Sequence, residues 1–169
     1  MTVKARVLLA SSVLALLGAA AKAPTEFPAA IKEALVEGKS VYVASTRKDG
    51  TLGRAAPVWY MYHQGAVYVA SKLTAWRVRR IKAGRPRVKM WVSKERTDFG
   101  RTREPDGPSF MASGTIVTDP KFVTAMLDRF GKKYPDTGRA EPSWEDVDAV
   151  FRAGMKDGSQ VLIKYTAAE

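Results

Sequence analysis

Apolar and polar positions along this chain change period several times, and each change marks an element. Over 27–37, Phe27, Ile31, Ala34 and Leu35 recur at i, i+4, i+7 and i+8, which predicts a helix. Gly38 follows as a natural stop. The run SVYVAST at 40–46 is β-branched and aromatic, which predicts a strand. Lys48-Asp49-Gly50 predicts a hairpin turn, because glycine accepts the positive φ that tight turns need. A second strand is expected over 52–62. Pro57 cannot donate to a ladder, so a bulge or unpaired segment is expected there, where a ligand could approach the backbone.

His63-Gln64-Gly65 predicts another turn, and 66–71 a third strand with Val67 and Val69 facing opposite to Tyr68. At 73–83 the period becomes helical. Leu73, Val78 and Ile81 can pack inward, while Arg77, Arg79, Arg80 and Lys82 point outward or toward a ligand. Gly84 and Pro86 end this helix, and 88–92 (VKMWV) is a fourth strand. Residues 94–108 read as a long charged loop, and 109–118 as a fifth strand with Gly114 as a bulge. Asp119-Pro120 starts a helix whose buried stripe is Phe122, Val123, Met126, Leu127 and Phe130. A linker at 135–142 leads to a helix opened by Ser143, with Asp146 placed for a capping box. Trp144, Val147, Val150 and Phe151 form its apolar face, and 159–165 is the last strand. Hairpin-joined strands predict a mainly β, α+β fold. Six antiparallel strands with short links favour a small barrel, since closure removes exposed edges.

Composition narrows the chemistry. The 169 residues contain no cysteine and one histidine, His63, so disulfides, thiolate nucleophiles and a histidine-rich metal site are excluded. The formal charge is +11, and twelve basic residues fall within 72–103 against only Glu95 and Asp98. Such a block attracts a phosphate, a polyanionic cofactor tail, nucleic acid or anionic lipid; a solvated basic face would have the same composition. At the amino terminus, Lys4 and Arg6 precede the apolar run 7–21, and Ala21-Lys22-Ala23 offers small residues at both peptidase positions. Residues 1–23 therefore read as a secretory signal, with an anchor or a packed hydrophobic helix as alternatives. Cleavage would give an exported, periplasmic or extracellular protein with no membrane span; without it the protein would be cytoplasmic. Residues 24–169 form one domain.

Catalytic constellations are mostly missing. There is no Gly-x-Ser-x-Gly elbow and no complete phosphate loop, and His63 sits in an expected turn. No catalytic residue is assigned, and no metal ligand. What remains is a binding site for a group that brings its own chemistry. Ser71-Lys72 end a strand, and Trp76-Arg77 lie in the helix that follows, whose start suits a phosphate. Pro57-Val58-Trp59 offers an interrupted ladder beside an aromatic face, although taken alone Trp59 and Trp76 are better read as core residues, since aromatics dominate cores. Trp76 and Trp91 also interleave with arginines, a single-strand nucleic-acid pattern that export would argue against.

The order TRKDGTLGRAAPVWYMY, GAVYVAS and AWRVRRIKAGRPRVKMWV, continuing through SGTIVTD, resembles the pyridoxamine-phosphate oxidase-like split β-barrel superfamily. The likeness covers about 27–134, and 135–169 loosely. It implies a six-stranded, Greek-key-like split barrel flanked by helices, and a homodimer. FMN or a deazaflavin coenzyme would lie between subunits and act on a small organic substrate. A non-catalytic module holding flavin, deazaflavin or haem is the alternative. Ala56, Pro57, Val58 and Trp59 would lie along the isoalloxazine, Ala70, Ser71 and Lys72 near the ribityl-phosphate, and Trp76 and Arg77 at the phosphate. The chain departs from the pattern at Ala75, where the family has serine, at Arg77 for lysine and at Arg85 for the Asn of N-P. Ala56 and Met61 also stand where true pyridoxamine-phosphate oxidases carry basic residues, which argues against vitamin-B6 synthesis.

Overall fold

Seven strands rather than six form one antiparallel sheet, because the expected second strand is broken in two. The computed structural model describes residues 26–94, 107–135 and 143–169. The export pattern, most of the expected charged loop and most of the 135–142 linker lie outside the described residues. Helix α1 (Ala29–Glu37) leads into β1 (Ser40–Ser45), β2 (Ala56–Val58), β3 (Met61–His63) and β4 (Ala66–Lys72). Helix α2 (Trp76–Lys82), β5 (Arg87–Ser93), β6 (Ser109–Val117), α3 (Pro120–Lys133), α4 (Glu145–Asp157) and β7 (Gln160–Ala167) follow. None of the described helices is long and apolar enough to cross a membrane.

The spatial order is β2-β1-β5-β6-β7-β4-β3. The two edges, β2 and β3, are consecutive in the chain and separated only by Trp59 and Tyr60. One extended segment therefore spans both edges of a split barrel, pairing with β1 through its first half and β4 through its second. The expected interruption is real, but it falls at Trp59–Tyr60. Pro57 itself is paired opposite Tyr42 in β2. An edge strand tolerates proline because only one of its sides must supply donors. At the break, Tyr60 N donates to the Tyr134 hydroxyl at 3.0 Å. That hydroxyl in turn lies 2.9 Å from the carbonyls of both Tyr60 and Lys39, so the side chain that ends α3 replaces the missing ladder.

Both faces of the sheet are covered, which explains the continuous burial of β4 from Ala66 to Val69. Val41, Val43, Val67, Val69, Met90 and Ile163 fill the barrel interior at 0% exposure. Each such side chain contributes roughly 1.5–3 kcal/mol. On the outer face, Tyr68 and Leu162 pack beneath α3 and α4 with Met126, Leu127 and Phe130. Gly114 forms no bulge. It pairs in register with Tyr165, and a Cβ there would meet the Tyr165 ring at 2.7 Å and Ile81 at 2.9 Å. The expected turns hold: Gln64 and Gly65 take positive φ, and the Asp49 carboxylate accepts from Thr51 N at 3.0 Å. Asp119 caps α3 through Lys121 N at 2.9 Å. Ser143 and Asp146 exchange bonds ahead of α4, Ser143 N donating to Asp146 Oδ2 at 2.8 Å and Asp146 N to Ser143 Oγ at 3.3 Å.

Candidate functional site

The break between β2 and β3, the end of β4 and the inner side of α4 enclose a cleft of about 640 Å³. One wall is aromatic. Trp59 is 8% exposed and stacks on Tyr134 with centroids 5.1 Å apart. Trp144 lies 6.0 Å from Trp59, 4.6 Å from Phe130 and 5.2 Å from Phe151. Of these rings, Trp59, Phe130, Trp144 and Phe151 border the cleft. Val147 and Val150 continue the wall along α4, where Val150 remains 60% exposed.

The other end is polar and cationic. Lys72 and Gln160 are cross-strand partners, so their side chains share one face at the end of the β4–β7 pair. The Ser71 hydroxyl, 2% exposed, accepts from Arg77 Nε at 2.9 Å and fixes the guanidinium. Burial pushes the Arg77 guanidinium below its ordinary value, opposed by Tyr165, yet arginine stays charged. Among the described residues no carboxylate is paired with Arg77, and none lines the cleft. A fixed, half-buried cation without a counter-charge favours an anion in the cleft.

Seven of the nine residues expected to form the site line this cleft: Pro57, Val58, Trp59, Ala70, Ser71, Lys72 and Arg77. Ala56 does not; it pairs with Val43 in β2. Trp76 does not either. It packs on the barrel core, with the Arg77 guanidinium 5.8 Å from its ring centroid. Helix α2 starts at Trp76 rather than 73 and is only seven residues long, so Lys72 and Arg77 supply the positive end and the helix dipole adds little. Sequence reasoning missed Thr74, Phe130, Trp144, Val147, Val150, Phe151 and Gln160 as site residues. The apolar face of α4 was legible, but nothing in its spacing says that it borders a cleft rather than a core. His63 lies outside the lining, in the β3–β4 hairpin, and burial with nearby Arg129 lowers its pKa.

No protein-family model matches the chain, and no curated protein matches it. Solved structures do. HutZ, the haem storage protein of Vibrio cholerae, is 15% identical with a TM-score of 0.53, over 82% of this chain and 88% of that one. A conserved hypothetical protein of Mycobacterium tuberculosis is 17% identical with a TM-score of 0.57, over 88% and 85%. A pyridoxamine 5′-phosphate oxidase-like protein of Listeria innocua is 15% identical with a TM-score of 0.51, over 82% and 91%. The chain has their fold. The split barrel expected from the sequence is thus shared with pyridoxamine 5′-phosphate oxidase-like proteins, with one more strand than the six expected.

Proposed function

We propose that this split-barrel chain binds a flavin-type cofactor in the cleft and acts as an oxidoreductase on a small organic molecule. FMN is the first choice and a deazaflavin coenzyme the second. The observation that carries the reading is the pairing of an aromatic wall at Trp59 with Lys72 and with an Arg77 guanidinium fixed by Ser71, neither of them paired with a carboxylate among the described residues. The first suits a flat ring and the second a phosphate. The volume lies within the range of ordinary cofactor clefts. A bound flavin would supply the hydride or electron chemistry. The chain's own residues would bind and orient it: Arg77, held by Ser71, and Lys72 at the phosphate, and Pro57 to Trp59 along the ring. Phe151 and Val150 would exclude water. Dimerisation across the site and export after removal of 1–23 belong to the same proposal.

Haem, the group stored by HutZ, suits the cleft less well. Among the described residues the lining offers no imidazole, thiolate, thioether or phenol to ligate iron.

Titration of the full-length protein with FMN, riboflavin and a deazaflavin coenzyme in low salt tests the reading. FMN is expected to bind at micromolar concentration or tighter. Arg77→Ala should weaken FMN by about tenfold while changing riboflavin little, because the lost contact is to phosphate. Absence of binding by either cofactor class sinks the proposal. Binding without any redox change in the presence of donors or acceptors leaves a cofactor-holding module.

A further inference from the structure

Gln160 is buried, polar and unused by the reading above. It is 7% exposed and lines the cleft, and its Oε1 has no hydrogen-bond partner among the described residues. Leaving a buried acceptor unpaired is unfavourable, so the position calls for an explanation. The side chain is held in place by α4. Gly154 packs so closely that a Cβ there would stand 2.1 Å from Gln160 Cγ and 2.9 Å from Gln160 Cβ. Any larger residue at 154 would therefore displace the glutamine. Its cross-strand partner is Lys72, which sets the amide beside the cationic end of the cleft.

We propose that Gln160 is a recognition residue that hydrogen-bonds a hydroxyl of the polyol chain joining the ring to the phosphate in a flavin-type ligand. This rests on the functional reading above, which sets the phosphate at Lys72 and Arg77 and the ring at Pro57 to Trp59. The polyol is the part of such a ligand that carries several donors and lies next to the phosphate. A hydroxyl is donor and acceptor at once, so it pairs with either end of the amide. The aromatic wall would tolerate many flat rings, and Gln160 would select those that carry a hydroxylated chain.

The test compares riboflavin, FMN and lumiflavin, which keeps the ring but lacks the hydroxyls, on the full-length protein and on Gln160→Met. Methionine keeps the length and removes the amide. Riboflavin and FMN are expected to weaken about tenfold, with lumiflavin unchanged. The ligand-free melting temperature should stay level or rise, since an unpaired buried acceptor has gone. Equal loss for riboflavin and lumiflavin, or no loss for either, overturns the proposal while leaving the flavin reading intact. If Gln160→Met does not fold, Gln160→Glu decides. This variant keeps an acceptor but replaces the amide NH2, so riboflavin is expected to weaken while lumiflavin does not; equal loss for both, or no loss for either, overturns the proposal in this variant too. Failure of the unaltered protein to bind any flavin sinks the functional reading itself, and this inference with it.

Discussion

The barrel interior and the aromatic cluster outside it are both hydrophobic, but only one of them is complete. The interior is mainly aliphatic, with Val41, Val43, Val67, Val69, Met90 and Ile163 all at 0% exposure and closed by their neighbours. The outer cluster is built from rings, and it stops short. Trp59, Phe130 and Tyr134 are buried, whereas Phe151 is half-buried and Val150 is 60% exposed above the cleft. The interior also closes around Phe27, Tyr60, Phe110 and Tyr165, so rings alone do not leave a cluster open; the outer one is open where its edge meets the cleft beside α4. The contrast teaches that stability and ligand binding should be separable by mutation.

The most severe test of that separation lies inside the barrel. Ile163→Ala removes a fully buried side chain between β4 and β6 and should cost about 3 kcal/mol in urea unfolding. Flavin affinity per folded molecule should stay within about twofold, because the residue does not border the cleft. A large affinity loss would mean that the two regions are one unit. Next comes Tyr134→Phe, which keeps the ring stacked on Trp59 but deletes the hydroxyl that serves Tyr60. Leaving those backbone groups unpaired should cost about 2 kcal/mol. Here the two regions meet, and affinity should fall too, since the strand break carries Trp59.

How much of this was legible beforehand follows the same division. The interior was readable because strand alternation and turn chemistry are local: Val67 and Val69 against Tyr68, Asp49-Gly50, Gln64-Gly65 and the Asp119 cap all behave as their spacing implies. The cleft was readable on the strand side, from Pro57 to Trp59 and Ala70 to Lys72. Its α4 side was not, because packing of 143–160 against 57–77 is a long-range fact that no local pattern encodes. Pro57 misled by two residues. An interruption was signalled, but the break went to Trp59–Tyr60, where the distant Tyr134 hydroxyl could take over the ladder. Gly114 misled for a similar reason, since Tyr165, which needs its missing side chain, is far away in sequence.

Titration separates the regions further. Lys133 sits with its ammonium 3.5 Å from the centre of the Tyr60 ring, and burial lowers its pKa to about 8. Unfolded, it holds its proton up to an ordinary lysine value. The unfolded state therefore binds more protons between about pH 8 and 10.5, and stability should rise with pH across that window. The ring face favours the charged form and moderates the rise, to an expected gain on the order of 1 kcal/mol. Above about pH 10 the sign reverses. Burial raises Tyr60 and also Tyr165, the latter to about 12, so these phenols ionise only on unfolding and stability should fall. Lys133→Met should abolish the rise and keep the fall. An unchanged rise would place its origin elsewhere.

The smallest expected change in stability probes the wall that sequence reasoning did not see. Ser143 and Asp146 hold the first turn of α4 by exchanged bonds, and Trp144 Nε1 donates to Asp148 at 2.9 Å beside them. Ser143→Ala deletes the hydroxyl but leaves the Ser143 backbone N–H able to reach Asp146. The loss should be only about 0.5–1 kcal/mol in unfolding. Yet α4 presents Val147, Val150 and Phe151 to the cleft, and a frayed first turn loosens Trp144, which anchors that face. Flavin affinity should then fall several-fold at nearly unchanged stability, the reverse of the Ile163→Ala pattern. Equal affinity in the Ser143→Ala protein would show that α4 merely covers the outer cluster, and that the strands and α2 alone hold the ligand.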